Sequence, residues 1–163
     1  MESPTPTSRA RVERVPPHSE DAERGVLGSV LLDAARVMDL CVERQLVPAC
    51  FYQPAHRAIY ETLCDMWRES RAIDVLTVSE RMRRAGRLDS VGGDSRLHLL
   101  LDATPTPAHA EYYIEIVRQR YLLRCIIEKA REAEARCYSS EEDANALLGR
   151  TYRQGHWAVP KGV

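Results

Sequence analysis

The sequence predicts an all-α fold, a small helical globule followed by a C-terminal αα-hairpin. Apolar residues recur at spacings of three and four rather than two. The core formers are mainly Leu, Ile, Val, Met and Ala, with one Phe and two Trp among 163 residues, a composition that favours packed helices over a β-sandwich. The prolines stand at 4, 6, 16, 17, 48, 54, 105, 107 and 160 and leave long proline-free spans between them. An interior proline costs a helix roughly 3 kcal/mol, so those spans are where helices can form.

Residues 1–15, rich in Pro, Ser, Thr and charge, are expected to be a disordered leader. Pro16-Pro17 then blocks any upstream helix, Ser19 can cap the first helix, and Glu20, Asp21 and Glu23 complement its dipole. Ala22, Val26, Leu27, Val30 and Leu31 share one face of it. Val37, Leu40 and Cys41 mark a second, short helix ending near Gln45. After a connection at Phe51-Tyr52, Pro54 leads a third helix carrying Ile59, Leu63, Met66 and Trp67. The box Thr77-Val78-Ser79-Glu80 opens a fourth, with Val78, Met82 and Ala85, and Gly86 is its left-handed stop. Residues 72–75 have some extended character, but no segment reads as a strand.

Gly92-Gly93 turns the chain into a fifth short helix with Leu97, Leu100 and Leu101. Pro107 takes the favoured first position of a long helix running to about Cys137. Its Tyr113, Ile116, Val117, Tyr121, Leu122, Leu123, Ile126 and Ile127 cover more than one narrow stripe. Such an arc calls for burial on several sides, by its own domain or by a second subunit. A second box, Ser139-Ser140-Glu141-Glu142, starts a final helix with Ala144, Leu147 and Leu148 on one face. The expected organisation is a leader (1–15), a globular subdomain (16–104), a helical hairpin (105–152) and a flexible tail (153–163).

Composition excludes several functions. The net charge is −1, and the basic residues are 21 Arg with only Lys129 and Lys161, so there is no overall electrostatic case for nucleic-acid binding. Five cysteines lie far apart with no zinc spacing and read as small hydrophobes in a reducing cytosol. The polar N-terminus lacks the apolar core of a secretory signal, and no apolar run reaches the roughly 18 residues of a membrane span, which makes the expected location cytoplasmic. Neither lysine follows a glycine, so the phosphate loop GxxxxGK[ST] of an ATPase is absent from these residues. GxSxG and HExxH are missing too. No catalytic, cofactor-binding or metal-ligating residue is assigned. His98, among leucines, is expected at the core or its boundary. Arg81, Arg83, Arg84 and Arg87 form a candidate basic contact patch for phosphate or an acidic partner; the competing reading is a solvated helix face neutralised by Glu80 and Asp89.

Five blocks stand in order along the chain: PPHS-x-x-AE-x-x-VLG-x-x-LLD from Pro16, FY-x-x-x-H-x-x-IY from Phe51, ID-x-x-TV from Ile73, G-x-LD-x-VGG from Gly86, and a TP…YY-x-x-IV-x-x-R segment. Together they resemble the N-terminal domain of bacterial DnaB-type replicative DNA helicases over residues 16 to about 148. The resemblance implies a helical globule plus hairpin, self-association through hairpins into dimers and a trimer of dimers, and docking of primase, with a helicase loader as a further candidate partner. DNA would be met only through the full helicase. ATP and Mg would belong to a motor domain outside these residues. The implied pairing residues are Leu122, Ile126, Leu147 and Leu148. Arg96 departs from the family pattern, where an aromatic is common, and TYRQGHWAVPKGV does not resemble the family's linker helix. That tail motivates an alternative, a stand-alone regulator that binds the collar of a host replicative helicase.

Overall fold

In the computed structural model, residues 15–139, 144–146 and 149 are described. They form six α-helices with no strand among them: α1 Glu20–Leu32, α2 Ala34–Glu43, α3 Pro54–Arg68, α4 Val75–Arg84, α5 Gly93–Asp102 and α6 Ala110–Ser139. Short 3-10 turns at Pro48–Cys50, Asp89–Val91 and Pro107–His109 connect them. Pro107 therefore opens a 3-10 turn that runs directly into α6, rather than the α-helix itself.

The helix starts follow local chemistry. Ser19 caps α1 by accepting from the backbone N–H of Ala22. Asp33 ends α1 and caps α2 at once, accepting from Arg36 N, so one residue makes the corner between two helices. α4 begins earlier than the sequence predicts. Its cap is Asp74, whose carboxylate accepts from Leu76 N and Thr77 N, while the Thr77 hydroxyl accepts from Asp74 N. Thr77 is thus the reciprocal member of the capping box, because an ionised aspartate three residues upstream is the stronger acceptor. Gly86 follows α4 with φ +66°, the left-handed stop.

α1 is the central element, packed by α2, α3, α5 and α6. It is buried nearly all round, at Gly25, Gly28 and Ser29 as well as on its apolar face. The glycines are the reason. A Cβ at Gly25 would lie 2.6 Å from the Tyr113 ring, and one at Gly28 would lie 2.1 Å from Thr104 Oγ1 and 2.4 Å from Leu100 O. Bare backbone at these two positions lets α6 and α5 approach α1 closely. Val26, Leu27, Ile59, Leu63, Met82, Leu97, Leu100 and Ile114 complete a core shut off from solvent.

The wrapped helix is therefore α1 and not α6, which buries only Ala110, Ile114 and Val117. His98 is exposed, contrary to expectation, because Leu97 and Leu100 take the inward face of α5. Cys41 and Cys50 are buried as small hydrophobes, whereas Cys137 is exposed. No helix among the described residues is long and apolar enough to cross a membrane. Ala144–Ala146 and Gly149 are helical, but Leu147, Leu148, the box from Ser140 onward, the leader up to residue 14 and the tail lie outside the described residues.

Candidate assembly surface

At 1.5 Å per residue, the 30 residues of α6 span about 45 Å, longer than the globule needs. The first turns belong to the core, with Tyr113, Ile116 and Tyr121 packed around Ile114 and Val117. Arg124 makes the last side-chain hydrogen bonds between α6 and the globule among the described residues. Its Nη1 donates to Pro17 O at 2.8 Å, and its Nη2 donates to Cys50 O at 2.7 Å. The guanidinium also lies 5.6 Å from the ring centres of both Tyr52 and Tyr121. Partial burial lowers its pKa while the charge of Glu23 acts the other way. His18 also stacks on the Tyr52 ring, with the ring centres 4.2 Å apart.

Around and beyond Arg124 three apolar residues are only partly covered. Leu123, Ile126 and Ile127 are 40, 44 and 37% exposed, at the i, i+3, i+4 spacing of one helix face. Leu122 is half-buried one position away, so of the two described pairing candidates Ile126 is the open one. Three large aliphatic side chains on a projecting helix form an apolar patch that has not been spent on the globule's own core.

A buried polar network lies behind the Tyr52 ring on which Arg124 rests. The Glu23 carboxylate accepts from Tyr52 N at 2.7 Å, from Gln53 N at 3.3 Å and from His56 Nδ1 at 2.8 Å. Arg96 Nη2 lies 3.1 Å from His56 Nε2 and 3.7 Å from Glu20. A carboxylate and a guanidinium on opposite sides of the imidazole assign the tautomer: Nδ1–H donates to Glu23, and Nε2 accepts from Arg96. Arg96 thus makes a hydrogen-bonded link between α5, α3 and α1. Because Glu23 fixes the backbone at Tyr52, it also fixes the ring beside Arg124. These roles are not visible in the sequence, where Glu23 complements the helix dipole and neither His56 nor Arg124 has an assigned role. The available signal was that Glu23 and His56 both stand in the quoted blocks, as polar residues flanked by core positions.

The four arginines of the basic run all meet carboxylates. Arg81 bonds Glu69 at 2.6 Å, Arg84 bonds Glu80 at 2.8 Å, and Arg87 bonds Glu61 at 2.7 Å. Arg83 bonds Glu80 and Asp94, turning away from the other three. Arg81, Arg84 and Arg87 border one open groove between α3 and α4. Glu80 is a neutralising partner, as the sequence suggested, but the others are Glu61, Glu69 and Asp94 rather than Asp89. Among the described residues no group of His, Cys, Asp and Glu is arranged to hold a metal ion.

A family model described as the DnaB-like helicase N terminal domain matches residues 15–119. The replicative DNA helicase DnaB of Geobacillus stearothermophilus is 34% identical over 142 residues, covering 87% of this chain and 31% of the relative. The crystal structure of the N-terminal domain of DnaB helicase from Mycobacterium tuberculosis superposes with a TM-score of 0.78 at 32% identity, covering 86% of this chain and 97% of that one. The structure of a DnaB-like replicative helicase and its interactions with primase gives a TM-score of 0.65 at 25% identity, covering 82% of this chain and 31% of that one. The chain spans about a third of the length of the curated relatives it matches.

Proposed function

Since the chain belongs to the family of DnaB-like helicase N-terminal domains, we propose that it serves cytoplasmic DNA replication as an assembly and primase-docking domain. In this reading two copies pair through α6 and the helix after it, and pairs build a larger ring. Primase binds the assembled surface, a loader is a further candidate partner, and the chain does no chemistry of its own. ATP hydrolysis with Mg would fall to a motor domain, and contact with DNA would come only through that motor.

The carrying observation is the part-exposed apolar stripe of Leu123, Ile126 and Ile127 on a helix that runs on to Ser139, well past its last buried residue, Val117. A helix face of this kind gains from a second apolar surface, at roughly 25 cal/mol for each Å² removed from water. The related helicase structure determined with its primase interactions supports primase as the second partner. Size-exclusion chromatography with light scattering, on the chain mixed with primase from the same genome, tests the docking part. Co-elution at the summed mass supports it; separate elution at about 50 μM of each protein contradicts it, because even weak specific docking would be visible there.

A further inference from the structure

The arginine run has not been used by the assembly reading, and its placement carries a second binding surface. We infer that the groove between α3 and α4 docks an acidic peptide segment of a partner protein, one that also presents an apolar side chain. The inference does not depend on pairing through α6, which lies on a different part of the molecule.

The groove is open, with a volume of about 830 Å³, within the range of small binding sites. Four guanidinium groups, from Arg71, Arg81, Arg84 and Arg87, border it with two carboxylates, Asp65 and Glu80, while Glu69 and Glu61 reach the arginines from outside the lining. Their internal partners are also shared. Glu69 serves both Arg71, at 3.7 Å, and Arg81; Glu80 serves both Arg83 and Arg84; Asp65 is engaged by Arg68. Arg81, Arg84 and Arg87 each reach their carboxylate through a single nitrogen, which leaves the rest of a five-donor fork for an incoming oxygen. Such exposed pairs are each worth little, so exchanging a partner's carboxylate into them meets a low barrier.

The apolar half of the site is Leu76. It is 74% exposed on the first turn of α4, beside the groove, with Met66 buried at the floor. A large aliphatic side chain next to a guanidinium cluster fits a segment with apolar and acidic residues on one face. A nucleic-acid backbone would use the charge but leave Leu76 without a contact, which favours peptide over polynucleotide.

The test uses the whole chain, isotope-labelled for amide NMR. The probe is a short synthetic peptide of Glu, Asp and Leu at helical spacing. Its Lys-for-Glu counterpart and an oligothymidylate serve as the other arms. The acidic peptide is expected to perturb the amides of Ala72, Leu76 and Thr77 saturably, with binding that weakens as salt rises. Arg81→Glu with Arg84→Glu should weaken it at least tenfold, or about 1.4 kcal/mol, and Leu76→Ala about threefold. Arg84→Glu alone, at a side chain 77% exposed, keeps the test available if the double variant does not fold. Equal binding of the Lys peptide, oligothymidylate binding at the groove without peptide binding, or wild-type affinity in a folded charge-reversed variant would each overturn the inference.

Discussion

Glu23 and His56, 33 residues apart in the chain, meet at 2.8 Å with both side chains closed to solvent. The same carboxylate holds two backbone N–H groups at the start of α3, including that of Tyr52. One side chain thus ties α1 to α3 and sets the ring against which Arg124 rests.

Glu23→Ala leaves His56 and the Tyr52 N–H buried without an acceptor. The expected loss is about 2–4 kcal/mol in urea unfolding, the cost of leaving buried hydrogen-bond donors without their charged acceptor. A loss below about 1 kcal/mol would mean that the network contributes little to the fold.

Gly28→Ala places a methyl 2.1 Å from Thr104 Oγ1 and 2.4 Å from the Leu100 carbonyl. The threonine can rotate away, but the backbone oxygen cannot, so α5 must move off α1. The midpoint of thermal unfolding should fall by an amount corresponding to about 1–3 kcal/mol. An unchanged midpoint would show that the close approach of these helices is not needed.

Acid should weaken the α4–α5 surface. Hydrogen bonds from Arg84 and Arg83 hold the Glu80 carboxyl below its ordinary value of 4.5. Ser79 and Arg83 do the same for Asp94 below 3.8. A carboxylate whose pKa is lower folded than unfolded adds stability that is fully present above the unfolded value and is lost as pH falls through the folded one. Stability contributed by these pairs should therefore stay level from neutrality to about pH 4.5 and decline below it. Glu80→Gln should make the acid decline shallower in a series of unfolding measurements; an identical pH profile would contradict the pairing.

The thiols should sort by burial. Burial pushes Cys41 up to about 12 and Cys50 up to about 11, so neither offers thiolate at ordinary pH. Cys137 is exposed on α6. A disulfide reagent at about pH 8 should label Cys137 first and reach Cys41 and Cys50 only on unfolding. Labelling of all three at one rate would contradict the core described here.

Much of this was readable in advance where the cause is local. Ser19 caps through a neighbour three residues away, and Gly86 stops α4 through its own backbone, whereas the equally local cap at Asp33 was not among the expected ones. α4 starts at Val75 rather than at Thr77 because two overlapping boxes compete there, and a sequence does not show that Asp74 takes the cap. Contacts between distant segments were less readable. Glu23 looks like any acidic residue in a first turn until His56 arrives from α3. Arg124 looks like a surface arginine until Pro17 and Cys50 turn their carbonyls toward it. For the assembly surface, the wide apolar arc of α6 was visible, but only packing separates Ile114 and Val117, spent on the globule, from Ile126 and Ile127, left open.

Mass against concentration, by sedimentation equilibrium, is the most direct test of the assembly reading. The chain is expected to approach a dimer or larger species as concentration rises. Ile126→Glu with Ile127→Glu should shift it to monomer and leave the unfolding midpoint of the dilute, monomeric chain unchanged, since neither side chain is in the core. A wild-type chain that stays monomeric to about 100 μM, or a double variant that associates as wild type does, would contradict the account.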